Sequence, residues 1–272
     1  MILLVGGTGF LGSFVAARLA ERHMAALVRP TSDVSVLPVG LELRRGDLNT
    51  GLPHEGISTL IYCASMGFGH VPRLIEQLQH SDVRRAVFIS TTAIFTSLPS
   101  TSLTLRLEAE AAVESSQLEW TILRPTMIYG TSRDRNISRL LKFLRRSPVF
   151  PLCGNALWQP IHVEDLADAV VAALDTSLTH RKMYNVAGAE PLRFSDLVKT
   201  AARAINRRVR LIPMPVEAAV MAARITRIVT AEQIRRLAED KAFSYADAAR
   251  DFNFAPRSFA EGVQLEAATL VA

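Results

Sequence analysis

The feature that most constrains this chain is a cluster of glycines, Gly6-Gly7-Thr8-Gly9-Phe10-Leu11-Gly12, set directly after the apolar run Ile2-Leu3-Leu4-Val5. The run reads as a strand. The residues after it read as a helix over Phe10 to Arg22, with Phe10, Phe14, Val15, Arg18 and Leu19 at helical spacing. A glycine turn between a strand and a helix points backbone N–H groups at the positive end of the helix, where a pyrophosphate can sit. Gly6 permits the tight turn, Gly9 lets phosphates approach, and Gly12 lets the helix pack on the strand. The stretch satisfies Gly7-x-Gly9-x-x-Gly12 and Gly6-x-x-Gly9-x-x-Gly12 together, in the order strand, turn, helix that a dinucleotide fingerprint requires.

The same alternation continues down the chain. Strands are predicted at Ala25–Val28, Leu41–Arg45, Leu60–Ala64, Arg85–Ser90 and Trp120–Arg124, and helices at Val71–His80 and Leu105–Ser115. Repeated βα units imply an α/β protein, a doubly wound parallel sheet of Rossmann type. Residues 1–130 form the dinucleotide-binding core, to which residues 163–188 return. Residues 131–162 and 189–272 are expected to build a smaller C-terminal substrate lobe over the carboxyl ends of the strands. Beyond residue 130 the chain is predicted to carry helices at Ile137–Arg146, Val163–Leu174, Phe194–Ile205 and Val216–Glu239, including a packed stretch at Glu217–Arg227, with Val163–Leu174 in the segment that returns to the core. Short strands are predicted at Met183–Val186 and Val209–Ile212, and the tail is read as irregular.

At 272 residues, 49% of them hydrophobic, the chain can bury one large core, and no repeat period suggests a solenoid. The apolar start breaks into glycines after Val5, too short for a signal peptide or a spanning helix, so a cytoplasmic protein is expected. Cys63 and Cys153 form no metal-binding pair spacing and read as quiet thiols. The net charge of +5 is carried almost wholly by arginine and is given little weight. No nucleic-acid motif is present, so nucleic acid is not an expected partner.

Adenosine selectivity is usually set at the end of the second strand, by a carboxylate that accepts the ribose hydroxyls of NAD. This chain instead reads Val28-Arg29-Pro30-Thr31-Ser32. A guanidinium followed by hydroxyls suits a 2′-phosphate, so NADP is the preferred cofactor, with NAD possible.

Taken in order, these residues resemble the extended and atypical branches of the short-chain dehydrogenase/reductase superfamily, the epimerase/dehydratase-like group. Asp47 and Leu48, in Gly46-Asp47-Leu48, resemble the element that contacts adenine. Ala64 and Ser65, in Tyr62-Cys63-Ala64-Ser65, resemble the strand end beside the cofactor. Phe88-Ile89-Ser90-Thr91-Thr92 resembles the strand end bearing the catalytic Ser/Thr, here Thr91. Pro125, Thr126 and Met127, in the run from Leu123 to Gly130, resemble the segment flanking the nicotinamide. Gln159 to Ala167 and Tyr184 to Gly188 are similar to the second half of the epimerase-like branch. The resemblance implies hydride transfer on a nucleotide-sugar-like or other small oxygenated substrate, with Gly6, Thr8, Gly9, Phe10, Leu11, Gly12, Arg29 and Thr31 among the cofactor contacts.

The resemblance fails at one place. The superfamily's proton donor is a Tyr followed four residues later by a Lys, and alignment on Glu110 puts Ser102 and Arg106 there. An aliphatic alcohol is far too weak an acid to replace a phenol, and a guanidinium cannot shuttle a proton. Ser102 and Arg106 are left to orient the reacting oxygen and hold the ribose. Tyr129, Tyr62 and His70 are alternative donors, and His162 reads as a helix-capping residue. Two functions stay open: an oxidoreductase or epimerase-like enzyme, or a dinucleotide-binding protein with a regulatory or structural role. Arg135, Arg139, Lys142 and Arg146 share one helical face, which suits a solvated surface, a diphosphate or an anionic membrane.

Overall fold

The computed structural model describes residues 1–98, 100–215, 217 and 239–270. Its first half alternates β1 (Ile2–Val5), α1 (Phe10–Arg18), β2 (Met24–Val28), β3 (Glu42–Arg45), β4 (Thr59–Tyr62), α2 (Val71–Leu78), β5 (Arg85–Ile89), α3 (Thr101–Glu114) and β6 (Glu119–Pro125). There follow β7 (Ile128–Tyr129), α4 (Ile137–Arg146), β8 (Val149–Cys153), β9 (Leu157–Trp158), β10 (Ile161–His162), α5 (Val163–Leu174), β11 (Lys182–Val186), β12 (Leu192–Arg193), α6 (Phe194–Ala204), β13 (Arg210–Met214), α7 (Ala246–Phe252) and α8 (Phe259–Thr269).

Seven strands form one parallel sheet in the order β11-β6-β5-β4-β1-β2-β3, so the order reverses between β1 and β4. In such sheets the crevice at this switch point, beyond the carboxyl ends of the strands, is where ligands bind. Strand alternation sends Leu4 to the face covered by α1 and α5, with Val15, Leu166 and Val170. Leu3 and Val5 face Leu74 of α2 and Val113 of α3. The exposed edge strand β3 carries Glu42, Arg44 and Arg45, charges that discourage pairing with another chain. A third core joins α4, α6 and α8 through Leu141, Leu197, Phe259 and Val263, and also holds Trp158.

Three expectations need correction. Helix α3 begins at Thr101 rather than Leu105, because the Ser100 hydroxyl caps it by accepting the Leu103 N–H. Helix α1 stops at Arg18, where the Leu19 N–H bonds the Val15 and Ala16 carbonyls, rather than running to Arg22. Residues 21–23 are exposed, and with no apolar face to bury they gain nothing from further helix. The tail is not irregular: it holds α7 and α8, and α8 opens on a capping box in which Ser258 and Glu261 bond reciprocally. The helix expected over Val216–Glu239, with its packed stretch Glu217–Arg227, lies outside the described residues except at Glu217 and Glu239.

Candidate functional site

The glycine turn owes its shape to close contacts that no side chain would allow. Gly6 has φ +80°, and a Cβ there would stand 2.7 Å from the Ala64 nitrogen. A Cβ on Gly12 would collide with the Gly6 carbonyl oxygen. The Gly9 N–H closes the turn on that same carbonyl at 2.9 Å. Gly9 is also the N-cap of α1, and no side chain caps the helix. The first N–H groups of a helix lack intrahelical partners, so this end presents donors and positive potential to an anion.

Beside the turn is a cavity of about 180 Å³ at the ends of β1, β2 and β4, lined by Gly6, Thr8, Arg29, Ser32, Asp47, Leu48, Ala64 and His70, among others. Ser32 rather than the exposed Thr31 lines it, and the Ser32 hydroxyl accepts the Arg29 N–H at 3.1 Å. The Asp47 carboxylate accepts from the Asn49 backbone and side chain at 2.8 and 2.7 Å, and these bonds, with Arg29 and His70 nearby, lower its pKa. Ser65 caps the single turn Met66–Phe68, accepting from the Gly67 N–H. Phe10 packs edge-on against Phe14, and Leu11 is buried in the sheet's first core.

A residue missed in the sequence reaches this turn from the second half of the chain. Arg133 donates to the Thr8 carbonyl at 3.1 Å and to the Ser13 hydroxyl at 2.9 Å. Its loop is held by Asp134, which accepts from the N–H groups of Asn136 and Ser138. Asp134 also lies beside Glu266, a fully buried carboxyl whose pKa is raised to about 10 by burial first and by the neighbouring Asp134 second.

A second cavity, about 460 Å³, lies at the ends of β5 and β6, walled by Thr91, Thr126, Met127, Asn136 and Trp158 on one side and Glu239, Asp240, Lys241 and Phe243 on the other. The Thr91 hydroxyl accepts the Ala93 N–H at 3.2 Å, which leaves its own proton to donate. Thr92 and Thr126 are buried and donate to the Pro125 and Gln159 carbonyls. Burial opposes charge on Glu239, but hydrogen bonds from Ser97 and Thr96, and Lys241 nearby, outweigh it and hold the carboxyl below its ordinary range. The Lys241 ammonium stacks 4.0 Å over the Trp158 ring. The 239–243 segment enters the cavity from the far end of the chain, so no local sequence signal announces it.

The residues standing where the Tyr and Lys would be lie elsewhere. Arg106 donates to the Ser102 hydroxyl at 3.2 Å, and its guanidinium lies against Gly67. Neither residue lines the second cavity. Glu110 is buried in a bidentate pair with Arg124. Of the alternative donors, Tyr62 is buried against Phe88 and its pKa is pushed up to about 12 by that burial. Tyr129 is fully buried beside His162 and Phe259, which raises its pKa further. His70 lines the first cavity, away from Thr91, and His162 caps α5 by accepting the Glu164 N–H.

Residues 6–177 match the family model described as NAD(P)H-binding. The chain is 28% identical over 251 residues to NADH dehydrogenase (ubiquinone) 1 alpha subcomplex subunit 9, mitochondrial, of Arabidopsis thaliana, a match covering 80% of this chain and 62% of that protein. The chain thus spans less than two thirds of that relative. It is 21% identical over 260 residues to UDP-glucose 4-epimerase of Vibrio cholerae, covering 79% of each. UDP-glucuronic acid 4-epimerase from Bacillus cereus, solved in complex with NAD, superposes with a TM-score of 0.78 at 15% identity, over 99% of this chain and 98% of that one.

Proposed function

Because the chain belongs to the NAD(P)H-binding family and has an epimerase-like fold, we propose that it is an NADP-preferring oxidoreductase or epimerase-like enzyme acting on a small oxygenated substrate. The observation that carries this reading is the pairing of two cavities at the carboxyl ends of one sheet: one beside the glycine turn, the other with Thr91 in its wall. The N–H groups of Phe10, Leu11 and Gly12 hold the bridging phosphates, and Arg133 adds a guanidinium from across the turn. Arg29 and Ser32 take a 2′-phosphate, and Asp47 with Leu48 takes the adenine side. When bound, the dinucleotide supplies a hydride donor or acceptor at nicotinamide C4.

Thr91 orients the reacting oxygen through its remaining hydroxyl proton. Arg106, bonded to Ser102, braces the 67–69 loop whose Phe68 lines the first cavity. The missing phenol is replaced by Lys241. Among the described residues of the second cavity it is the one that carries an ionisable proton at neutral pH, since Glu239 and Asp240 are carboxylates. An ammonium and a phenol are acids of similar strength in water, with reference pKa values of about 10. Two carboxylates against one ammonium favour an uncharged hydroxylated or carbonyl-bearing group over a diphosphate, so simple carbonyl compounds take precedence over nucleotide sugars in a substrate survey.

The test is turnover of NADPH against carbonyl and nucleotide-sugar panels. Thr91→Ala and Lys241→Met are each expected to lose about 10²–10⁴-fold in turnover with cofactor affinity intact. The second reading, a binding protein without catalysis, is favoured by the Ser102–Arg106 pair in the dyad's place and by the likeness to an NADH dehydrogenase (ubiquinone) 1 alpha subcomplex subunit. Tight cofactor binding with no turnover on either panel decides for it.

A further inference from the structure

The chain's positive charge is not spread evenly. Residues 131–162 and 189–215 hold 12 Lys and Arg against 3 Asp and Glu, a net of +9, whereas the whole chain is +5 and everything outside these segments is net −4. A compositional preference for arginine would raise both parts alike. The excess therefore belongs to the surface built by α4, α6 and the β8–β13 ribbon.

That surface is exposed and poor in counter-charge. Arg139, Lys142 and Arg146 are exposed along α4, which contains no acidic residue, and Arg135 is exposed just before it. Arg207, Arg208 and Arg210 are exposed at the start of β13. The Arg210 N–H donates to the Pro148 carbonyl at 2.8 Å, and Arg210 pairs in register with Val149, which brings these three beside the end of α4 at Arg146. None of the seven forms an ion pair among the described residues; the lobe's acids are spent elsewhere, Asp196 on Lys199 and Asp134 on the 136–138 turn. Apolar side chains stand among the cations. Phe143 is 42% exposed on the charged face of α4, and Ile212 is 47% exposed on β13.

From this combination we infer that the α4–β13 face docks on an anionic phospholipid bilayer as a peripheral contact. Cations draw the face to a negative surface, and Phe143 and Ile212 enter the headgroup boundary, the division of labour of interfacial segments. No described helix is long and apolar enough to cross a membrane. An aliphatic side chain such as Ile212 offers a nucleic acid neither a stacking face nor a hydrogen bond, so lipid is preferred over RNA. Asn136, the N-cap of α4, lines the second cavity, so docking would hold that cavity's rim near the lipid surface.

The experiment is vesicle flotation of the full chain with phosphatidylcholine alone and with equimolar phosphatidylglycerol. Binding is expected only to the anionic vesicles and is expected to fall as salt is added. Arg146→Gln/Arg207→Gln/Arg210→Gln together should lower the partition coefficient about a hundredfold, and Phe143→Ala/Ile212→Ser should lower it at constant charge. NADPH titration of each variant serves as the folding control, and Arg84→Gln, an exposed cation of the other half, should leave partitioning unchanged. Equal binding to neutral vesicles, retention of binding by the folded triple variant, or preferential binding of a stem-loop RNA over anionic vesicles in competition would each overturn the inference.

Discussion

Arg29 stands at the point where one side chain chooses the cofactor. Its backbone is tied to Ser32, and it lines the first cavity beside Asp47, whose pKa is lowered first by hydrogen bonds from Asn49 and then by the Arg29 and His70 charges. A guanidinium on a 2′-phosphate makes charge-assisted bonds that an unphosphorylated ribose cannot repeat. Arg29→Ala is expected to weaken NADPH by about 10–100-fold while changing NADH little, as measured by fluorescence titration. The glycine turn was legible because part of its constraint is local: Gly6 takes φ +80°, and a Cβ on Gly12 would meet the Gly6 carbonyl. Arg133 was not legible, because its partner Ser13 lies 120 residues away. The sequence does not separate the hydroxyls of Thr31 and Ser32; the turn after Pro30 leaves Thr31 exposed and brings Ser32 to the cavity.

Elements of the sheet were readable from their buried apolar runs, and the βα order of the first half follows directly from them. The second half was harder, because β7, β9, β10 and β12 are two-residue strands whose pairing is set by tertiary contact rather than by periodicity. Helix α8 did carry a readable signal, the Ser258-x-x-Glu261 box, set in a stretch without a strong amphipathic stripe. One polar residue inside the sheet shows how elements are joined. Arg85, 8% exposed on β5, donates to the Glu119 and Ala173 carbonyls and to the Thr179 hydroxyl, stitching β5 to β6 and to the carboxyl end of α5. Arg85→Ala removes a donor from the Glu119 carbonyl and one from the Ala173 carbonyl, which keeps the Thr179 hydroxyl, and leaves a helix end without its cation. A loss of about 3 kcal/mol is expected in urea denaturation.

Across the whole molecule, the 130–136 loop ties the parts together, with Arg133 on the glycine turn, Asn136 at the second cavity and Gly130 bonded to Glu266 of α8. Glu266 keeps its proton because burial, and then Asp134, penalise its charge. A carboxyl raised in the folded state binds its proton more tightly there than in the unfolded chain. Its contribution is therefore complete below the unfolded value of 4.5 and is lost as pH rises through about 10. Glu266→Gln cannot ionise and should show a flatter decline in unfolding midpoint between these limits, so that its advantage over the native chain grows with pH. Parallel pH profiles for the two proteins would show that Glu266 is not held neutral.

The account rests on the open amino end of α1 receiving phosphates, and Gly9→Asp tests this most directly. Gly9 has φ −72° and ψ 175°, extended backbone that any residue adopts; a Cβ there would stand 3.0 Å from the Gly6 carbonyl oxygen, so the turn must give by a few tenths of an ångström, a cost that aspartate offsets as a favoured N-cap. Its carboxylate would occupy the position an incoming phosphate needs. Equilibrium titration with NADPH is predicted to give saturable binding for the native chain and none for Gly9→Asp, which should still unfold cooperatively. Absence of binding by the native chain, or equal binding by both proteins, would contradict the assignment.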